Sequence, residues 1–132
     1  KLSFDDAEVI NNDDPLHAAR LAQRQREAAA VGLRLTPPTI DDVRKIIEFA
    51  KSIRGIRGAL LCHCLGGISR SSAAALICLA AWTSEGAELE CANTVRQVRP
   101  AAQPNRDLVS IADTLLGRNG RLIEAVNRVW GT

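Results

Sequence analysis

The chain has no methionine among its 132 residues. It also has no apolar run near the ~20 residues of a membrane-spanning helix, which argues against a helical membrane protein. Its opening Lys1-Leu2-Ser3-Phe4-Asp5-Asp6 lacks the positive-then-apolar pattern of a secretory signal. No run of like charge is present: a formal charge of +2, with arginines scattered along the chain, leaves no footprint for nucleic acid. Internal repeats and low-complexity segments are missing too.

What is there is ordinary globular composition, 46% apolar and 24% charged, enough for one domain over residues 1–132. Four cysteines fit a disulfide framework poorly. Cys62 and Cys64 flank His63 in an apolar run, and Cys78 and Cys91 fall in helix-like segments, where core packing is expected. Reduced thiols and a cytoplasmic location follow as expectations. Leu2 and Phe4 alternate with polar residues like the end of a half-buried strand. With no methionine ahead of it, this start suggests further strands before Lys1.

A helix is expected from Leu16 to about Val31, with Gly32 as its stop. Thr39 and Asp42 have capping-box spacing ahead of Ile40, Val43, Ile46, Ile47, Ala50 and Ile53, an apolar stripe suited to packing on a sheet. Gly55 and Gly58 bracket a turn. Ala59-Leu60-Leu61-Cys62-His63 is a short continuous apolar run of the kind found in central strands covered on both faces. Alanine-rich Arg70 to Trp82 predicts a buried helix, and further helices are expected over Ala87 to Arg99, Arg106 to Leu116 and Arg121 to Trp130. These elements predict an α/β three-layer domain, a central, mostly parallel sheet with helices on both faces.

Chemistry concentrates at His63-Cys64-Leu65-Gly66-Gly67-Ile68-Ser69-Arg70-Ser71, where a nucleophile and an arginine are separated by five residues. A loop wrapped at a helix N-terminus turns its N–H groups inward and binds an anion, so Leu65, Gly66, Gly67, Ile68, Ser69 and Arg70 are the expected phosphate-binding residues. The same field favours a Cys64 thiolate. The Arg70 guanidinium offers a planar fork to equatorial phosphate oxygens. Ser71 is placed to donate to the sulfur, and His63 to orient the loop from the preceding strand. No metal or organic cofactor is implied.

This run, His-Cys, two residues, Gly, two residues, Arg and Ser, resembles the signature loop of the protein tyrosine phosphatase superfamily. Val95-Arg96-Gln97-Val98-Arg99-Pro100 with Pro104-Asn105 is similar to the end of dual-specificity phosphatases, and Gly67 to Ala75 to a bacterial branch of small predicted tyrosine phosphatases. The resemblance implies hydrolysis of a phosphorylated protein or small phosphoester through a phosphocysteine. It also implies an upstream Asp as general acid. Asp6, in register with Leu2 and Phe4, is the first candidate; Asp5 follows, then Asp13 and Asp14. Asp6 lies further from Cys64 than the acid does in most small relatives, and the extra helix after Leu16 accounts for the distance. Asn105 is expected to fix the loop or to form its own turn.

Two other readings have a basis in the residues. Low-molecular-weight phosphatases and arsenate reductases use a similar loop, but carry it at the first strand with a downstream Asp-Pro; Asp14-Pro15 is upstream here. A non-catalytic phosphate-binding module would need neither the thiolate nor Ser71. A Cys62–Cys64 disulfide is a further option on oxidation, with packing of Cys62 preferred.

Overall fold

A computed structural model describes residues 15–30 and 37–132. Among these residues the chain forms helices α1 (Pro15–Ala30), α2 (Ile40–Ser52), α3 (Arg70–Trp82), α4 (Glu88–Val98), α5 (Arg106–Leu115) and α6 (Arg121–Trp130). The expected helix boundaries hold to within about one residue.

α2 starts where its sequence says it should. Thr39 Oγ1 accepts from the Asp42 N–H while the Asp42 carboxylate accepts from the Thr39 N–H, a reciprocal capping box. Asp41 and Asp42 in the first turn and Lys51 in the last complement the helix dipole. The stripe Val43, Ile46, Ile47 and Ala50 is buried, while Ile40 is exposed.

α3 is the hub, packing against α2, α4 and α5; α6 closes the assembly against α4 and α5. Small residues make this close approach possible: Ala73 and Ala80 are fully buried beside Leu76 and Ile77. The Trp82 indole N–H donates to Ala50 O at 2.7 Å, tying the end of α3 to α2. At the far end, the buried Arg118 donates to Glu88 Oε1 at 2.9 Å and to the carbonyls of Ala80 and Thr83, so one guanidinium satisfies the last carbonyls of α3. Asp113, on α5, accepts from the N–H groups of Gly120 and Leu122 at 2.7 and 2.8 Å and caps α6 from outside that helix.

The expected three-layer α/β architecture is not found. No strand and no sheet occur among the described residues, and α2 packs its stripe on α3 and α5 instead of on a sheet. The run at Ala59–His63 is irregular, with Leu61 81% exposed. The reason is physical. An apolar run becomes a strand only when a neighbour pairs its backbone, and this segment makes no backbone–backbone hydrogen bond among the described residues. The proposed strand at Lys1–Asp6 lies outside the described residues. No helix among them is long and apolar enough to cross a membrane.

Candidate active site

The segment ending at His63 delivers Cys64 to the start of α3. Gly67 then takes a left-handed conformation, φ +63°, which a Cβ would strain and which lets the chain curl back. Ser69 precedes α3 with no side-chain cap hydrogen bond, while its carbonyl accepts from the Ala73 N–H at 3.1 Å and closes the first turn.

Cys64 sits inside this curl. Its thiol donates to Ser71 Oγ at 3.3 Å, and the N–H groups of Ser71, Gly67 and Ile68 point at its sulfur. Burial works against ionisation, but the Ser71 hydroxyl and those three N–H groups outweigh it and lower the Cys64 pKa to about 7.

The carbonyls of Gly67, Ile68 and Ser69 are held by donors from outside the Cys64 loop and from α3. Arg99 Nε donates to Gly67 O at 3.1 Å, Gln103 N–H to Ile68 O at 2.9 Å, and Asn105 N–H to Ser69 O at 3.2 Å. Ser72 Oγ donates to Ser69 O at 3.0 Å and also contacts Ile68 O. In a trans peptide unit the C=O and the following N–H point in opposite directions. Arg99, holding the Gly67 carbonyl, therefore turns the Ile68 N–H towards the Cys64 sulfur. Of these donors, Asn105 was singled out in the sequence, but it meets the loop through its backbone N–H, which any residue except proline would supply. Arg99 and Gln103 were not, because their partners are backbone carbonyls 32 and 35 residues away, set by packing; the Ser72 contacts are local, to carbonyls four and three residues back, and were missed.

The remaining expected residues fall as follows. Arg70 opens α3 and, with Ser71, borders a cleft of about 1060 Å³ that also takes in His63, Cys64 and Leu65. His63 is exposed, Leu65 and Gly66 are exposed, and Ser71 is buried. Asn105 is fully buried, and its side chain caps α5 by accepting from Leu108 N–H at 3.0 Å. Its backbone N–H, and not its side chain, makes the contact with the Ser69 carbonyl. Asp6, Asp5, Asp13 and Asp14 lie outside the described residues.

The cleft is also lined by Ile46 and Phe49 of α2, Leu60 and Leu61, Ala74 of α3, and Lys45. No protein-family model, curated protein or solved structure matches the chain.

Proposed function

We propose that this protein is a cysteine-dependent phosphatase, similar to the dual-specificity group of the tyrosine phosphatase superfamily, acting on phosphate monoesters. The observation that carries the reading is the environment of Cys64: a thiol lowered to about 7 within a ring of N–H groups at the opening of α3, with Arg70 beginning the helix. That is a nucleophile and an anion cradle in one loop.

In this mechanism the Cys64 thiolate attacks phosphorus as the ester P–O bond breaks. Arg70 and the loop N–H groups hold the three equatorial oxygens, whose charge they stabilise in the transition state. Asp6 donates a proton to the departing alkoxide or phenoxide. Water then attacks the phosphocysteine, the S–P bond breaks, and Ser71 donates to the sulfur as it leaves. Phosphotyrosine, with phosphoserine or phosphothreonine, in a protein or a small phosphoester is the proposed substrate class. A catalytic thiolate must stay reduced, which suits the cytoplasm.

The test is hydrolysis of para-nitrophenyl phosphate across pH, with chelator present and with Cys64→Ser and Arg70→Lys alongside. Activity that survives chelator and is lost in Cys64→Ser supports the thiolate mechanism. An inactive wild type that still binds phosphate would replace it with a phosphate-binding module.

A further inference from the structure

The cleft that holds the Cys64 loop is larger than a phosphate alone requires. Its volume of about 1060 Å³ matches the top of the range, about 300–1,000 Å³, of pockets that bury a whole drug-sized molecule. Three elements supply lining beyond the loop: Ile46 and Phe49 from α2, Leu60 and Leu61 from the segment ahead of His63, and Ala74 from α3. Several of these side chains are open to solvent. Phe49, the single phenylalanine among the described residues, is 52% exposed, and Leu61 is 81% exposed. Leu65, on the loop itself, is 97% exposed and lines the same cleft. Single exposed apolar residues are ordinary, but apolar residues from separate elements gathered in one cleft mark a ligand groove.

Charge in the cleft points to the ligand's other end. No Asp or Glu among the described residues lines it, and its permanent cations are Arg70 and Lys45. Arg70 belongs to the phosphate loop. Lys45 already pairs with Asp41 at 3.3 Å, which leaves it a weak second anchor. The cleft thus offers one anion cradle and an extended apolar lining. Beyond the loop it has few side chains to hydrogen-bond a sugar, an inositol ring or peptide amides, all of which lose free energy on leaving water without new partners.

We infer that the substrate is an amphiphilic phosphate monoester, a free molecule whose phosphate sits on the Cys64 loop while its alkyl chain lies along Phe49, Leu60 and Leu61. This rests on the phosphatase reading and narrows its substrate class. Affinity for the chain comes from removing its methylenes and those exposed side chains from water together. The ester P–O bond breaks as in the reaction above, and the chain leaves as its protonated alcohol. A phosphopeptide fits less well, because its amides would enter the same apolar lining.

Phosphonates, whose C–P bond resists hydrolysis, separate binding from turnover. The wild-type protein is titrated calorimetrically with methyl-, butyl-, hexyl- and octylphosphonate, each below its micelle concentration. Affinity should rise about two- to fourfold per added methylene, the factor for a partly to fully buried CH₂. Phe49→Ser and Leu61→Ser, both at exposed positions and checked for folding by circular dichroism, should weaken octylphosphonate about three- to tenfold and leave methylphosphonate unchanged. If methylphosphonate binds but a longer chain adds nothing, or if both variants keep the full gain, the substrate class is overturned while the phosphate site stands. Tighter binding of a peptide carrying phosphonomethylphenylalanine than of octylphosphonate would replace the amphiphile with a protein substrate. Should no phosphonate bind at all, the phosphate cradle fails and the substrate class falls with it.

Discussion

The Cys64 thiol and the Ser71 hydroxyl, 3.3 Å apart, join the end of an irregular segment to the first turn of α3. Because that hydroxyl and the nearby N–H groups lower Cys64 to about 7, its alkylation by iodoacetamide should rise with pH through a midpoint near 7, below the ~8.5 of an ordinary thiol. Ser71→Ala should move the midpoint upward, towards the ordinary value. Mass mapping of the Cys64 peptide separates its rate from that of Cys62. A midpoint unchanged by Ser71→Ala would assign the lowering to the backbone alone.

Arg99 is a positioning residue acting through the Gly67 carbonyl. Losing one such hydrogen bond should weaken tungstate or phosphate binding roughly two- to tenfold in Arg99→Ala. The Cys64 alkylation midpoint should rise in the same variant. Since Arg99 is exposed, the melting temperature should change little. Titration calorimetry and the alkylation profile test both effects, and a large fall in stability with unaltered binding would count against the role.

Asn105 links loop and helix: its N–H holds Ser69 O while its side chain caps α5. Asn105→Ala keeps the first contact and removes the second, so it should cost about 1–2 kcal/mol of stability, the usual range for a lost N-cap. Asn105→Asp should recover most of it, because a carboxylate accepts from the same Leu108 N–H. Urea denaturation of both variants provides the comparison.

Glu88 and Arg118 form a buried ion pair at the far end of α3. Burial alone would raise the Glu88 pKa, but its own N–H, the Arg118 guanidinium and the Gly86 N–H overcome this and lower it. A carboxylate with a depressed folded pKa contributes stability that is present above the unfolded value of ~4.3 and lost as pH falls through the folded value. Glu88→Ala should therefore flatten the acid limb of the stability profile. At neutral pH it should cost about 3–5 kcal/mol by leaving a buried guanidinium without its carboxylate. Chemical denaturation between pH 3 and neutrality measures both.

If Asp6 is the general acid, Asp6→Asn should depress hydrolysis of alkyl phosphates far more than of activated aryl phosphates, whose leaving groups depart without a proton. Equal loss on both, measured as kcat/KM, would remove Asp6 from the mechanism and turn the search to Asp5.

What depends on near neighbours along the chain was legible from the residues alone. The capping box at Thr39 and Asp42 rests on contacts a few residues apart, and the stripe from Val43 to Ala50, the rough limits of α3 to α6 and the spacing of Cys64 and Arg70 are patterns along the chain. Only the tertiary structure decided the rest. Ala59–His63 has a strand's composition, but pairing requires a distant neighbour that no local pattern specifies, and among the described residues none is present. Likewise, Arg99 reaches the Gly67 carbonyl across 32 residues. Such contacts follow from how the helices stack around α3, whose small and apolar residues set the distances at which everything else meets.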